Sequence, residues 1–368
     1  MTSKTTNAGK YTEAEILSQA ECWKKCLHDL EQQKTLEKIR DRFSGGSEWM
    51  FVGCGSSFYL AQAAAANWKE TTGLRAQAVP ASELLLFPDL VATPPKACVP
   101  VMISRSGQTS ELLKATEYLE TVRNIRTLGI TCAHGRPLEK AATATICLPH
   151  ADEQSTVMTR SFSSMLLALQ MLSATVAKKH DFAEALRRIP VLAEPLLAPL
   201  LDRMRKFVAS RQFADYVYLG QGPFYGLACE GMLKVKEMSC SYAQSFHTLE
   251  FRHGPKAILG PEVLVTFLIS QAGYDAEVSV LEELKALGAT TIAVTNVADD
   301  RVRTAADLLV ELSFDIPEYT RLPAYTFIGQ MLGLVTGIKK GFNPDQPRNL
   351  SRVVMLDQQS VKPEHAAI

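Results

Sequence analysis

The chain has 368 residues, 46% of them hydrophobic, and its 39 basic residues are balanced by 39 acidic ones. Zero net charge argues against a nucleic-acid partner or a membrane surface, since both attract a basic surplus. No segment approaches the roughly 18 apolar residues of a spanning helix, and the polar opening MTSKTTNAGK is not a secretory signal. We expect a cytoplasmic protein of two or three domains, with eight reduced cysteines.

The predicted elements begin with a helical leader, and two similar series of elements follow it. An apolar run, a Gly-x-Gly turn and a small-residue helix occur at 49–68 and again at 216–235. A second apolar run then ends at Ser104 in the first copy and at Ser270 in the second, at nearly the same spacing. Four such signals recur in the same order, which predicts a duplicated domain.

The apolar runs predict the fold class. They are short, rich in β-branched residues and ended by Gly or Ser, which is typical of strands buried on both faces. Helical patterns lie between them, as at 110–123 and 276–287, so the sequence predicts an α/β fold with two doubly wound, mostly parallel sheets. The predicted boundaries are a leader at 1–45, a first domain at 46–178, a connector at 179–205 that is helical in pieces, a second domain at 206–340, and a tail at 341–368.

Two turns in the first domain are candidate ligand sites. SRSGQTSE supplies four hydroxyls, those of Ser104, Ser106, Thr109 and Ser110, at the start of a predicted helix. Hydroxyls and free helix N–H groups together can hold a phosphate, although one of these hydroxyls could simply cap the helix. GCGSS at 53–57 lacks the third glycine of a dinucleotide fingerprint, so its serines are better interpreted as further ligand hydroxyls.

The second domain carries the charged candidates. Glu230, Lys234 and Glu237 share one face of a predicted helix and can pair; the alternative is an ordinary solvated face. His253 stands on a predicted turn beside Gly254-Pro255, where an imidazole can shuttle protons, unless it is an ordinary surface histidine. No Cys or His cluster shows metal-ligand spacing, so we expect no metal and no cofactor.

Taken together, these motifs resemble the tandem sugar isomerase (SIS) domain family. GCGSS, SRSGQT, EGMLKVKE, RHGP and the tail DQPRNLSR are similar to the isomerase half of glucosamine-6-phosphate synthase. They are also similar to the tagatose-6-phosphate ketose/aldose isomerase or galactosamine-6-phosphate deaminase group. The resemblance implies two tandem SIS domains, a C-terminal tail that contributes to the active site, and a homodimer with shared sites.

The resemblance also implies roles for individual residues. Glu237 would move a proton between carbons 1 and 2 of the sugar, Lys234 and Glu230 would support it, and His253 would open the ring from a second subunit. The implied substrate and phosphate contacts are Gly55, Ser56, Ser57, Ser104, Arg105, Ser106, Thr109, Thr159, Arg160 and Arg352.

Three departures from the synthase bear on the activity. Arg352 stands where the synthase has a lysine, and an arginine does not form a Schiff base with a ketose. Met158 replaces a hydroxyl residue, which leaves the contacts of Thr159 and Arg160 open. The start of the chain also lacks the N-terminal cysteine of a glutaminase domain, so we expect no such domain.

The sequence therefore predicts a phosphosugar isomerase/deaminase that acts on galactosamine 6-phosphate or glucosamine 6-phosphate and releases ammonia. One alternative is a deglycase for a fructosamine 6-phosphate. Another is a non-catalytic regulator that senses sugar phosphates, although a sensor would need neither Glu237 nor His253.

Overall fold

The computed structural model describes residues 7–91 and 98–354, and these form two compact units. The first-sheet unit comprises residues 22–91, 98–152, 164–183 and 351–354. The second-sheet unit comprises residues 7–21, 153–163 and 184–350. The predicted leader is thus divided between the two units after Glu21, and residues 355–368 of the predicted tail lie outside the described part of the chain.

The first sheet has five parallel strands: β1 (Glu48–Gly53), β2 (Arg75–Pro80), β3 (Cys98–Ile103), β4 (Leu128–Thr131) and β5 (Ala144–Cys147). Their order across the sheet is β2-β1-β3-β4-β5. The helices up to this point are α1 (Lys10–Leu17), α2 (Gln19–Gln32), α3 (Thr35–Arg42), α4 (Ser56–Thr72), α5 (Ala81–Leu86), α6 (Pro88–Val91), α7 (Ser110–Glu117) and α8 (Pro137–Ala141). A π-helical turn, Tyr118–Val122, continues α7.

The second sheet also has five parallel strands: β6 (Asp215–Gly220), β7 (Tyr242–His247), β8 (Val263–Leu268), β9 (Thr290–Thr295) and β10 (Leu308–Glu311). Their order, β10-β9-β8-β6-β7, reproduces that of the first sheet strand for strand. The helices of this half are α11 (Pro223–Ser239), α12 (Tyr274–Ala286), α13 (Asp300–Ala305) and α14 (Leu322–Lys339). The α/β fold with two duplicated, doubly wound sheets is confirmed.

The chain between the two sheets forms two long helices, α9 (Arg160–Ala177) and α10 (His180–Ala209). The prediction that the connector is helical in pieces is wrong, because α10 runs unbroken through Pro190, Pro195 and Pro199. A proline inside a helix removes one hydrogen bond. Here the apolar face of α10, which includes Leu186, is buried and offsets that loss.

Burial explains which strands form the centre of each sheet. All six residues of β3 and all six of β8 are buried, as expected of strands covered by helices on both faces. The edge strands β2 and β7 are partly exposed. The carboxyl ends of the central strands are where open parallel sheets bind ligands.

Candidate active site

The loop between β3 and α7 lies in the first-sheet unit and brings its hydroxyls together. The Oγ of Ser104 lies 3.0 Å from the Oγ1 of Thr109 and 3.4 Å from the Oγ of Ser106. The Ser104 Oγ also accepts a hydrogen bond from the Gly107 N–H at 3.1 Å, and the Ser106 Oγ accepts one from the Gln108 N–H. Three predicted phosphate contacts therefore stand side by side at the start of α7.

Gly107 is required by the shape of this loop. Its φ is +62°, and a Cβ there would lie 2.7 Å from the Cβ of Arg136. The carbonyl oxygen of Arg105 accepts hydrogen bonds from the Thr131 hydroxyl and the Cys132 N–H. Close packing against the segment after β4 thus holds the loop in place before any ligand binds.

Arg105 and Arg352 meet beside this loop. The guanidinium of Arg105 is buried and donates to the carbonyl oxygen of Arg352 at 3.2 Å. The guanidinium of Arg352 in turn forms an ion pair with Asp152 at 2.5 Å and is 43% exposed. The tail residue predicted to contribute to the site is therefore next to the loop between β3 and α7, with its charge partly accessible.

The GCGSS turn ends β1 in the same unit. Gly55 has a φ of +54° and immediately precedes α4. Ser56 and Ser57 are the first residues of that helix, and both are buried. They lie at the carboxyl end of β1, as predicted.

The charged cluster lies on α11 in the second-sheet unit. The Lys234 Nζ lies 3.1 Å from Glu230 Oε1 and 2.5 Å from Glu237 Oε2. The side chains of Lys234 and Glu230 are 1% and 3% exposed, whereas that of Glu237 is 18% exposed. The interpretation as an ordinary solvated face is therefore wrong, since only Glu237 keeps contact with solvent.

The charge of Lys234 depends on its two partners. Burial by itself would lower the pKa of Lys234, but the carboxylates of Glu230 and Glu237 outweigh that effect and leave its pKa above the ordinary value. The lysine is therefore an ammonium group clamped between two carboxylates. The cluster can hold the Glu237 carboxylate in one orientation, which a group that moves protons needs.

Glycines on α14 let this helix approach α11 closely. A Cβ on Gly333 would lie 2.7 Å from the carbonyl oxygen of Lys234, and Gly329 and Gly337 face the backbone of α11 in the same way. Because these positions recur every four residues, they form one stripe along α14. The stripe fixes the backbone that carries Glu230, Lys234 and Glu237.

His253 follows a short 3₁₀ turn, Glu250–Arg252, after β7. Its side chain is exposed, and its backbone N–H donates to the carbonyl oxygen of Glu250 at 3.0 Å. The predicted position on a turn is confirmed. An exposed imidazole on a turn is available to a partner molecule.

Thr159 precedes α9 and Arg160 is the first residue of that helix; both belong to the second-sheet unit. Thr159 is fully buried, and both its N–H and its hydroxyl donate to Glu153 Oε1 at 2.7 Å. The guanidinium of Arg160 donates to the Ser18 hydroxyl at 3.2 Å. The Thr159 hydroxyl is thus engaged by Glu153, and the Arg160 guanidinium is engaged by Ser18.

Similarity to known proteins identifies the family of this chain. The SIS domain profile matches residues 47–175 and 215–334, which is more than half of the chain. The chain belongs to the SIS domain family. It is therefore a member of a family of phosphosugar isomerases, and the two matched segments coincide with the two parallel sheets.

Curated relatives of this SIS protein include glutamine–fructose-6-phosphate aminotransferases. One from Methanothermobacter thermautotrophicus is 26% identical over 310 residues, which are 83% of this chain and 51% of that protein. One from Bacteroides thetaiotaomicron is 29% identical over 273 residues, which are 70% and 44%. The chain thus spans about half the length of the curated relatives it matches.

Solved structures with the same fold include two enzymes with different named activities. The glucosamine-6-phosphate deaminase from Thermotoga maritima has 30% identity and a TM-score of 0.77, covering 94% of this chain and 100% of that one. The tagatose-6-phosphate ketose/aldose isomerase from Escherichia coli has 22% identity and a TM-score of 0.83, covering 98% and 100%. The second likeness shows the fold alone.

Two features of this SIS protein could not be read from the sequence. His247, the last residue of β7, stacks on the ring of Tyr225 with 3.8 Å between the ring centroids. Burial lowers the pKa of His247, which favours the neutral form of its imidazole. It lies at the carboxyl end of the second sheet, and only its place at a strand end could have drawn attention to it.

A cavity of about 600 Å³ opens at the carboxyl ends of β8 and β9 in the second-sheet unit. Gln271, Asn296, Asp315 and Arg321 are among its lining residues. None of the predicted site residues lines it, so it is separate from the cluster on α11. Among the residues described, no helix has the length and apolar character needed to cross a bilayer.

Proposed function

We propose that the chain is an amino-sugar-phosphate deaminase/isomerase that converts glucosamine 6-phosphate or galactosamine 6-phosphate into a ketose 6-phosphate and ammonia. The observation that carries this proposal is the cluster on α11, in which buried Lys234 orients the partly exposed carboxylate of Glu237. The 30% identity to a glucosamine-6-phosphate deaminase over 94% of the chain supports the choice of an amino sugar.

The phosphate is the handle that positions the substrate. The hydroxyls of Ser104, Ser106 and Thr109 and the N–H groups at the start of α7 would donate to its oxygens. Ser57 at the start of α4 and the exposed part of Arg352 would supply further contacts. Binding energy from this remote group would hold carbons 1 and 2 in place for the chemistry.

The first step of the reaction would open the sugar ring. His253, which the homodimer would bring from a second subunit, would protonate the ring oxygen while the hydroxyl at carbon 1 loses its proton, giving an aldehyde. The exposure of His253 on its own chain supports this arrangement, because a side chain that acts on a neighbour must not be buried.

Glu237 would then remove the proton from carbon 2 and return it to carbon 1. In an amino sugar this transfer, together with loss of one N–H proton from the amine and gain of one proton by the oxygen on carbon 1, converts the amine at carbon 2 into an imine and the aldehyde at carbon 1 into an alcohol. Water adds to the imine, ammonia leaves, and the product is a ketose 6-phosphate. The overall balance is one amino-sugar phosphate and one water consumed, and one ketose phosphate and one ammonia released.

The direct test is ammonia release from glucosamine 6-phosphate and galactosamine 6-phosphate, measured side by side with purified protein and a chelator present. We expect release from at least one, and the ratio of rates identifies the epimer. No release from either, with the sugar phosphates still bound, would contradict a deaminase. A fructosamine 6-phosphate should then be assayed. Turnover of this compound would indicate a deglycase, and a lack of turnover would indicate a sensor.

A further inference from the structure

Three side chains that can ligate a metal meet at the carboxyl ends of β4 and β5 in the first-sheet unit. His134 lies in the loop after β4, Glu139 lies in α8, and Cys147 is the last residue of β5. One donor atom from each, a ring nitrogen, a carboxylate oxygen and the sulfur, all lie within 4.8 Å of one another. The spacing of these residues in the sequence matches no familiar ligand motif, and only the pairing of Thr131 with Cys147 brings the strand end to the loop.

The separations suit a small tetrahedral centre. The Nδ1 of His134 lies 3.3 Å from the Oε1 of Glu139. Ligands held at zinc-like bond lengths of about 2.1 Å lie about 3.4 Å apart at the corners of a tetrahedron. The Cys147 thiol forms a hydrogen bond with the Glu139 carboxylate. Only small side-chain movements would therefore be needed to surround an ion.

The group also has a support and an entry path. The second oxygen of Glu139 accepts a hydrogen bond from the Gly135 N–H at 2.7 Å, which fixes the orientation of the carboxylate. The side chain of His134 is 68% exposed and that of Glu139 is 25% exposed. An ion can thus reach the three donors from solvent without any opening of the fold.

We propose that His134, Glu139 and Cys147 form a metal site of the zinc type, with water in the fourth position. Nitrogen, oxygen and sulfur donors together suit Zn²⁺, whereas Mg²⁺ and Ca²⁺ require oxygen ligands. One carboxylate and one thiolate balance the two positive charges of the ion.

The site borders the loop between β3 and α7, which is the proposed phosphate loop. The N–H of Leu138, which precedes Glu139, donates to the carbonyl oxygen of Gly107 at 3.1 Å. A bound ion would tie the segment from His134 to Glu139 to the end of β5. It would thereby brace the segment on which the phosphate loop rests.

The test is a Co²⁺ titration of the full, tag-free, chelator-stripped chain. We expect one equivalent to bind, with a near-ultraviolet charge-transfer band from the thiolate that Zn²⁺ abolishes. Cys147→Ser should remove this band and weaken Zn²⁺ binding at least about 100-fold. Cys240→Ser alters an exposed thiol elsewhere, and this control should keep both the band and the affinity.

A second variant keeps the test valid if Cys147→Ser fails to fold. His134→Ala changes an exposed side chain, so it should keep the fold while losing the rise in Tm that Zn²⁺ gives the wild type. The proposal is overturned if the wild type gives no band with excess Co²⁺, or if Cys147→Ser retains it. An unchanged Zn²⁺ response in His134→Ala would overturn it as well. None of these readouts depends on the proposed enzymatic function.

Discussion

The two copies of the loop after the third strand of each sheet have diverged. Ser104 and Gly107 of the first loop correspond to Ser270 and Gly273 of the second, and in both the serine Oγ accepts from the glycine N–H. The other three hydroxyls of the first loop have no counterpart in the second, since Ala272, Asp275 and Ala276 stand in the places of Ser106, Thr109 and Ser110.

A carboxylate fills the second loop. Glu277 is 1% exposed and accepts hydrogen bonds from the N–H and the hydroxyl of Ser270, at 3.0 Å and 2.5 Å. Its counterpart in the first copy, Glu111, leaves the Ser104 hydroxyl to its neighbours Ser106 and Thr109. The second loop is thus filled by a carboxyl group of its own, while the hydroxyls of the first loop lie next to one another.

The helices after the first strand of each sheet also differ, and here it is the second copy that carries the charged side chains. Counted from the Gly-x-Gly turns, Glu230 and Lys234 of α11 correspond to Ala63 and Asn67 of α4. Asn67 is buried and donates to the Ser173 hydroxyl at 3.3 Å, so its position carries no charge. The two copies therefore differ in which candidate groups they carry: the first has the loop with several hydroxyls, and the second has the charged cluster on α11.

The largest effect should come from removing the proposed proton carrier of the second copy. Glu237→Gln keeps the shape of the side chain but cannot accept the proton, so turnover should fall roughly 100- to 10,000-fold. Binding of glucosamine 6-phosphate should stay near the wild-type value. Ammonia release and calorimetric binding measure the two quantities. Glu262→Gln changes an exposed carboxylate of the same unit and should alter neither; full turnover in Glu237→Gln would exclude the assigned role.

Next in size is the loss of the buried ammonium. Lys234→Met leaves the buried carboxylate of Glu230 without its partner, which should cost about 3–5 kcal/mol of unfolding free energy. Urea denaturation checks this. The double variant Glu230→Ala with Lys234→Asn imports the uncharged pair of α4 and should be more stable than Lys234→Met. The opposite order would show that the ion pair does not govern the stability of α11.

The carboxylate of the second loop should make stability depend on pH. Burial raises the pKa of Glu277 from 4.5 to about 7, against the two hydrogen bonds from Ser270 that lower it. A folded-state pKa above the unfolded value stabilises the protein at low pH, and this contribution is lost as pH rises from about 4.5 to about 7. Its full size is about 3 kcal/mol.

Glu277→Gln should therefore cost more at pH 5 than at pH 8 in urea denaturation, by up to about 3 kcal/mol. Glu262→Gln, which changes an exposed group, should show little difference between the two pH values. An equal cost of Glu277→Gln at both would contradict the raised pKa and the buried state of this carboxylate.

The sequence predicted the apolar strands of the fold, including the edge strands β5 and β10, but it did not predict the edge strands β2 and β7. The fully buried runs of β3 and β8 are continuous apolar segments, so they stand out. β2 (RAQAVP) and β7 (YAQSFH) lie at the sheet edges and mix polar with apolar residues, so neither was predicted. The connector was misjudged because its prolines weigh against a helix locally, whereas burial of one face of α10 decides the outcome.

For the site, the sequence indicated which residues could act but not how they are held. The spacing of Glu230, Lys234 and Glu237 predicts a shared helix face, yet it gives no hint that Lys234 is fully buried. That burial depends on the glycine stripe of α14, which is distant in sequence. The engagement of Thr159 by Glu153 and the meeting of His134 with Cys147 likewise arise from chain folding, and local patterns do not report them.

The division between the two copies is tested most directly by one pair of matching variants. Binding of glucosamine 6-phosphate should be measured by calorimetry for Ser104→Ala and Ser270→Ala. We predict that Ser104→Ala weakens binding about 10- to 100-fold, the worth of one hydrogen bond to a charged group, while Ser270→Ala leaves it within about twofold. Equal losses in both variants, or a loss in Ser270→Ala alone, would contradict the assignment of the phosphate to the first loop.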